Sequence, residues 1–220
     1  EDRGVVLAAG MVERHNPAVE FAQNALRKGT YGKLIAVSAR RVSSFPTRVR
    51  DVGVMMDLGI HDVDVLRYLV GEEVERVYGV AGRERHEDFE DHATALLTFR
   101  GGVTGMVEVN WLTPMKVRRV ALTASKNFVE VDYINQTLDI SSSSLPTYDP
   151  SNLYQAPFEF ETHQVSLKKE EPLERELKDF LASIEEGRKP LVDGRDAVET
   201  LRVVTAIVES QARGAPVEVS

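Results

Sequence analysis

The middle of the chain constrains its fold most strongly, because one alternating apolar–polar segment follows another there. The segments are 74–81, 92–99, 103–112, 117–124, 127–133 and 136–142. Such alternation is typical of strands that bury one face. Turn-forming residues at 100–102 (RGG) and 125–127 (SKN) favour hairpins between neighbouring segments. This region therefore predicts a sheet that is mostly antiparallel.

The flanking segments predict helices that cover this sheet. Asn16 and Pro17 form a start signal for the first helix, and a second helix is predicted over 54–70. The other predicted elements are strands at 5–12, 33–43 and 158–167 and amphipathic helices at 172–186 and 194–213. We therefore predict a single α+β domain over 1–220, with one large mixed, mostly antiparallel sheet and helices mainly on one face. An open sheet face is commonly covered by a second copy, so we expect a homodimer or tetramer.

Composition excludes several classes of function. The chain has a formal net charge of -8 and no basic tract, so we expect no nucleic-acid or anionic-membrane partner. It contains no cysteine, which excludes disulfides, cysteine-ligated metals and thiol nucleophiles. No apolar run approaches the ~18–20 residues that a membrane-spanning helix needs, and we expect a cytoplasmic protein. The chain also contains no GxGxxG turn, P-loop or GxSxG elbow, so we predict no dinucleotide-binding domain within it.

Candidate chemistry is concentrated on the helix over 54–70. At about 100° per residue, Asp57, His61 and Asp64 share one face of this helix. The adjacent apolar arc, which would face the core, consists of Val54, Leu58, Val65, Leu66 and Leu69. A carboxylate one turn from an imidazole orients the ring and favours its protonated form. His61 is therefore suited to exchanging a proton with an alcohol.

Two irregularities and two further interpretations accompany this hypothesis. Gly59 in mid-helix would let a backbone or ligand approach, and Asp62 lies on the apolar arc; such inconsistencies are typical of functional sites. The same pattern is also typical of a solvated helix face with weak pairing. Asp57, His61 and Asp64 could instead chelate a divalent ion in a lyase or isomerase. Since no further His–carboxylate pair is near, we predict no metal site. A non-catalytic oligomeric module is the remaining alternative.

Residues 53–64 (GVMMDLGIHDVD) resemble the GG-x-L-x-D-x-G-x-H-x-x-D segment of the glucose–fructose oxidoreductase / inositol dehydrogenase (Gfo/Idh/MocA) family. The similarity continues at 12–17, 32–34, 171–173, 187–190 and 193–197. It implies that family's C-terminal domain, whose fold is like that of the glyceraldehyde-3-phosphate dehydrogenase C-terminal domain. In the family, an N-terminal Rossmann domain binds NAD or NADP. The family's Glu-Lys-Pro lysine has no counterpart here, so we expect a fragment of a longer two-domain protein that is inactive alone.

The resemblance also implies a reaction and roles for residues. A hydride would pass between a sugar, polyol or nucleotide-sugar carbon and nicotinamide, while His61 exchanges the hydroxyl proton and Asp57 binds the substrate. The segments at 12–17, 39–42, 50–53 and 110–114 look most like members that act on UDP-linked amino sugars. The implied substrate contacts are Arg14, Arg40, Arg41, Asp64, Trp111, Lys116 and Arg118.

The chemistry of these side chains allows two interpretations. The basic residues suit a pyrophosphate and Trp111 suits stacking on a base. Strand-borne basic residues are, however, mostly solvated edge charges, and a lone tryptophan most often packs in a core. The resemblance places Asn16 on the cofactor side, although its role as a helix cap suffices to explain it.

Overall fold

The computed structural model describes residues 5–46, 51–143 and 160–219. The strands are β1 Leu34–Val42, β2 Val74–Gly82, β3 His92–Phe99, β4 Thr104–Asn110, β5 Val117–Ala124, β6 Asn127–Asp132, β7 Thr137–Ser143, β8 Phe160–Ser166 and β9 Val217–Glu218. The α-helices are α1 Pro17–Arg27, α2 Ile60–Val70, α3 Pro172–Glu186 and α4 Gly194–Arg213. A 3₁₀ turn at Val12–His15 precedes α1, and a π-helical segment at Met55–Gly59 leads into α2.

The nine strands of the described residues form one open sheet in the order β8-β7-β6-β5-β1-β4-β3-β2-β9. Strands β1 and β4 are parallel, and the other neighbouring pairs are antiparallel. The prediction of a mixed, mostly antiparallel sheet in an α+β domain is confirmed. Because β1 and β4 are parallel, their C-terminal ends lie side by side at the same end of the sheet, next to the starts of β5 and β3.

One face of the sheet packs against helices and forms the core. Side chains of α2 such as Val63 and Leu66 are fully buried in the same cluster as Val107 of β4 and Val120 of β5. Helix α4 lies over β2 and contributes Ile207, which is also fully buried. Each such side chain contributes roughly 1.5–3 kcal/mol when removed from water. The opposite sheet face carries half-exposed apolar side chains, described below.

The predicted strand at 5–12 is wrong. Ala8 forms an isolated bridge with Asp193, and Ala9 N–H donates to the Val192 carbonyl at 3.1 Å. Because this segment pairs with the residues that precede α4, it does not join the sheet. Val5 and Leu7 are 70% and 68% exposed. The helix predicted over 54–70 is present, but its first part is π-helical.

The predicted strand at 158–167 begins outside the described residues and is observed from Phe160 onward. No helix in the described part of the chain has the length and apolarity to cross a membrane.

Candidate active site

The site begins at the π-helical segment Met55–Gly59, which continues directly into α2. A π-helix has more residues per turn than an α-helix, and short π segments are frequent at functional sites. The α-helical spacing that put Asp57, His61 and Asp64 on one face therefore does not apply across this junction. A Cβ added to Gly59 would overlap the Met55 sulfur. Gly59 is thus required by packing within its own helical turn, and the expectation that it admits a ligand is not supported.

Asp64 points away from His61 and into the protein. Its carboxylate accepts hydrogen bonds from Arg14 Nε at 2.7 Å and Nη2 at 2.6 Å, and from Thr200 Oγ1 at 3.1 Å. The Arg14 Nη1 atom binds Asp196 Oδ2 at 2.5 Å. Asp64 is 1% exposed and Arg14 is 5% exposed. The predicted acid–imidazole–acid stripe is therefore wrong, because Asp64 is occupied in a buried ion network. The same network favours a structural role for Arg14 over substrate contact.

His61 is partly buried at the start of α2, and its environment opposes protonation. Burial, and after it the positive charges of Arg41 and Arg118, lower the pKa of His61 to about 4 against an opposing effect of Glu13. The expectation that carboxylates favour the protonated ring is wrong. The Nδ1 atom of His61 is buried and has no hydrogen-bond partner among the described residues. At neutral pH this imidazole is uncharged and can accept a proton.

An ion cluster of Glu13, Arg41, Asp62 and Arg118 lies beside His61. Arg41 donates to Asp62 through Nε at 2.8 Å and Nη2 at 3.2 Å, and to Glu13 Oε1 through Nη1 at 3.1 Å and Nη2 at 3.0 Å. Arg118 Nη1 lies 3.4 Å from the same Glu13 oxygen. Burial disfavours the charge on Arg41, but Asp62 and Glu13 more than offset it and raise the pKa of Arg41. The cluster explains why an aspartate lies on the apolar arc of the helix.

Glu13 is the member of this cluster that we did not single out from sequence. It lies in the 3₁₀ turn, is 5% exposed and also lies 3.4 Å from the Asn16 amide nitrogen. The sequence signal for Glu13 was Asp62, a carboxylate on the apolar arc of the helix. A buried carboxylate requires a cation as its partner, and that cation in turn requires a second anion.

Arg118 and Lys116 form a basic rim around the cluster. Arg118 is 32% exposed. Its pKa is lowered by burial and by Arg41. Lys116 is exposed, and its pKa is lowered first by Arg118, then by burial and by Arg41. The Lys116 shift has Arg118 as its largest cause, so these two side chains lie close enough to repel each other. These two residues stay candidates for contact with an anionic substrate.

The structure separates the other predicted substrate contacts from this rim. Arg40 lies on the open sheet face, opposite to Arg41, and its Nε binds Glu108 at 3.1 Å. Arg41 is 3% exposed and fully engaged. Trp111 is 1% exposed and packs edge-on against Phe45 at 5.8 Å between ring centroids. The structure thus favours the alternative interpretation for Arg40, a surface charge, and for Trp111, core packing. Arg41 fits neither interpretation, because it lies in a buried ion pair. A base has no access to the Trp111 ring.

Asn16 caps α1, as its alternative interpretation predicts. Its Oδ1 accepts from Ala18 N–H at 3.1 Å, its Nδ2 donates to the Tyr133 carbonyl at 3.0 Å, and it is 1% exposed. Both ends of the side chain are therefore engaged within the protein, which disfavours cofactor contact. Among the described residues, no group of three or more His, Asp or Glu side chains is placed to hold a metal ion.

The family of this chain follows from its similarity to known protein domains. A family model described as the GFO/IDH/MocA C-terminal domain matches residues 19–130, and one described as the oxidoreductase family C-terminal alpha/beta domain matches residues 137–219. The chain belongs to the GFO/IDH/MocA family. The resemblance noted from sequence is confirmed.

Two similar proteins are named as dehydrogenases of a nucleotide sugar and of a polyol. UDP-N-acetylglucosamine 3-dehydrogenase of Acidithiobacillus ferrooxidans is 30% identical over 211 residues, which cover 95% of this chain and 62% of the relative. Myo-inositol 2-dehydrogenase of Thermotoga maritima is 26% identical, with 87% and 58% covered. The chain therefore spans about 60% of the length of these relatives.

Solved structures show the same fold. That of the Acidithiobacillus ferrooxidans UDP-N-acetylglucosamine 3-dehydrogenase superposes with a TM-score of 0.81 at 28% identity, covering 95% of this chain and 63% of that one. Levoglucosan dehydrogenase in complex with NADH and levoglucosan gives a TM-score of 0.82 at 19% identity, covering 99% and 67%. At that identity, the second likeness concerns the fold alone.

Proposed function

We propose that these residues form the substrate-binding and catalytic domain of an NAD(P)-dependent dehydrogenase of sugars, polyols or nucleotide sugars. The observation that carries the proposal is the position of His61 beside a buried ion cluster near the end of β1 and the start of β5. His61 is uncharged there at neutral pH, because its pKa is lowered to about 4. A general base must be unprotonated before it acts. Burial and the neighbouring cations keep His61 in that state, although the Glu13 carboxylate acts in the opposite direction.

The residues described fit the substrate side of a nicotinamide reaction. Bound NAD or NADP would take or supply the hydride, which is chemistry that the protein itself lacks. His61 takes the hydroxyl proton as the C–H bond gives up its hydride, so that an alcohol becomes a carbonyl; in the reverse direction it returns the proton. We assign this exchange to Nε2, because Nδ1 is buried. Asp57 is half-buried, lies four residues before His61, and would orient the same hydroxyl.

An anionic group on the substrate is supported by the charge of the rim. Inside the cluster, Arg41 and Arg118 face Glu13 and Asp62, two charges against two. Lys116 adds a positive charge and has no ion-pair partner among the described residues. A phosphate of a nucleotide sugar would neutralise it. The 30% identical relative, a UDP-N-acetylglucosamine 3-dehydrogenase, is compatible with this substrate class.

We further propose that the dinucleotide-binding residues belong to a second domain of a longer protein. The described residues contain no glycine-rich turn between a strand and a helix. Helix α3 carries an exposed apolar stripe that such a domain would cover. Its members, all more than half exposed, are Leu173, Leu177, Leu181 and Ile184. Val5 and Leu7, which are also exposed, extend apolar surface toward the same end of α3, where Val5, Leu7 and Ile184 line one cavity.

The open sheet face supports a homodimer or tetramer. Tyr78 of β2 lies opposite Leu96 of β3, and Leu96 lies opposite Met106 of β4, so the three form one row across the sheet. They are 37%, 53% and 40% exposed. Contiguous apolar rows of this kind are typical of interfaces between subunits.

The test is turnover by the full-length protein. Reduction of NAD and NADP is measured with UDP-N-acetylglucosamine, inositols and simple hexoses, for the native sequence and for His61→Asn. We expect turnover with at least one of these substrates and a loss of about 100-fold or more in kcat in the variant. Unchanged turnover in His61→Asn would instead leave the non-catalytic module as the explanation of this domain. Conversion of one of these substrates that needs a divalent ion and yields no NADH or NADPH would favour the lyase or isomerase.

A further inference from the structure

Glu90, on the loop between β2 and β3, binds the first turn of the helical segment that carries Asp57 and His61. The Glu90 carbonyl accepts the Val54 N–H at 3.0 Å, and Glu90 Oε1 accepts the Met55 N–H at 3.2 Å. The first N–H groups of a helix have no partner within it, and Val54 at this start has no side-chain cap. Glu90 therefore supplies the cap from another element, and its negative charge lies at the favourable end of the helix dipole.

Gly53 makes this contact possible. A Cβ at Gly53 would overlap the Glu90 carboxyl group, so any larger residue would displace it. The Gly53 carbonyl in turn accepts the Asp57 N–H at 3.0 Å. The carboxylate, the glycine and Asp57 are thus linked through two consecutive contacts at the start of the helix.

The loop that presents Glu90 is fixed by its neighbour Asp91. Asp91 is fully buried, and its Oδ2 accepts the N–H groups of Glu84 at 2.8 Å, Arg85 at 2.6 Å and His86 at 3.1 Å. Although burial opposes it, these donors and the His92 ring lower the pKa of Asp91 to about 2. The Asp91 carbonyl also accepts the Trp111 N–H at 2.9 Å, which joins the loop to the end of β4.

We propose that Glu90 is a positioning residue for Asp57 and, through the π-helical segment, for His61. The contacts fix the orientation of the first helical turn, so that the Asp57 and His61 side chains both face the same substrate hydroxyl. This inference rests on the proposed function, because it assigns a task to Glu90 in the same reaction. Misplacement of a reacting group by about 1 Å can cost roughly 100-fold in rate, which makes such a contact measurable.

The experiment compares Glu90→Ala, Glu90→Gln and the control Glu87→Ala in the full-length protein. Glu87 lies on the same loop and is exposed, and its hydrogen bond in the structure comes from its backbone carbonyl. We expect Glu90→Ala to lower kcat by about tenfold or more with the KM for NAD(P) unchanged. Glu90→Gln keeps an oxygen acceptor and is expected to restore most of kcat. Glu87→Ala should match the native protein.

A second pair of variants separates positioning from general destabilisation. Gly53→Ala pushes the carboxylate away without removing it, and should lower kcat as Glu90→Ala does; it also carries the test if Glu90→Ala does not fold. In a Glu90→Ala background there is no carboxylate left to displace, so Gly53→Ala should lower kcat little further. In an Asp57→Ala background, Glu90→Ala should lower kcat less than it does in the native protein, because only the positioning of His61 is then left to lose.

The two proposals fail in different ways. If His61→Asn inactivates the enzyme while Glu90→Ala keeps kcat within about twofold of the native value, the positioning role is overturned. Additive losses in the Asp57→Ala background would overturn it as well. If His61→Asn leaves turnover unchanged, the proposed function itself is wrong, whatever Glu90 does.

Discussion

Arg41 and Asp62 form a bidentate ion pair that is buried from solvent. The two contacts are 2.8 and 3.2 Å, and the residues are 3% and 0% exposed. Burial of two charges is costly, and their pairing offsets the cost only while both are present. The pair therefore constrains β1 and α2 to one relative position, beside His61.

Removal of one partner should be strongly destabilising. Arg41→Met leaves Asp62 and Glu13 buried without their cation, and we expect a loss of about 3–5 kcal/mol in the free energy of unfolding. Arg40→Met is the matched control, because Arg40 lies on the open face and its pair with Glu108 is exposed; there we expect a change below about 1 kcal/mol. Urea unfolding at neutral pH measures both. Equal effects of the two variants would contradict a structural role for the cluster.

His61 should make stability depend on pH below neutrality. Its pKa is about 4 in the folded protein against an ordinary value of 6.5, so between these values the unfolded chain binds more protons. The contribution of His61 is fully present above pH 6.5 and is lost as the pH falls toward 4, by up to roughly 3 kcal/mol. His61→Gln, which does not titrate, should lose less stability over this window when both proteins are unfolded in urea. Parallel curves for the two proteins would argue against the lowered pKa.

The acid limb of the rate profile should report the same electrostatics. Arg118→Met removes a positive charge that lowers the pKa of His61, so the pH below which kcat/KM falls should rise. Arg119→Met is a suitable control, since Arg119 is exposed and pairs with Asp132. Initial rates from pH 4 to pH 8 would check this for a substrate without ionisable groups. A limb that does not move would mean that another group governs it.

Lys116→Met should distinguish anionic from neutral substrates. If a phosphate is bound at the basic rim, the KM for a nucleotide sugar is expected to rise about tenfold, while the KM for a neutral sugar is unchanged. The effect should shrink at high salt, because screening weakens exposed charges. Lys126→Met, a substitution at another turn, serves as the control. A KM that does not change for any substrate would remove Lys116 from the binding site.

Polar substitutions in the apolar stripe on α3 should leave the stability of this domain unchanged and lower the stability of the longer protein. Leu177→Ser and Leu181→Ser change side chains that are 54% and 57% exposed, so the thermal midpoint of the described domain should scarcely change. In the full-length protein, a covering domain would make the same substitutions lower the midpoint by several degrees. Lys178→Ser, between them and exposed, is the control. Identical behaviour in both proteins would mean that the stripe is uncovered.

The sequence predicted most of the fold because its patterns are local. Alternation placed strands β1 to β8, and Pro and Gly signals placed the four α-helices. The segment at 5–12 failed because an apolar run does not show which neighbour it will pair with. Strand β9 was missed, since two residues carry no periodicity.

The site was less accessible to sequence reasoning. Asp57 and His61 came from one motif. Helical spacing also selected Asp64, which shares α2 with His61 but is held in a buried ion pair with Arg14. The cluster of Glu13, Arg41, Asp62 and Arg118 depends on four segments meeting in space, which spacing cannot reveal. Trp111 and Asn16 show that a chemically suitable residue type can be fully engaged in packing or capping.

Because the ion cluster beside His61 affects the pKa of that residue, this pKa depends on complete folding. Glu13 and Arg118 are 105 positions apart in the chain, so their contact forms only when distant segments have met, which is slow relative to local helix formation. An intermediate with α2 formed but β1 and β5 unjoined would carry an imidazole of ordinary affinity for protons. The pKa of His61 would therefore fall only once these distant segments have met, so an intermediate and the folded protein would differ in the pH at which His61 titrates.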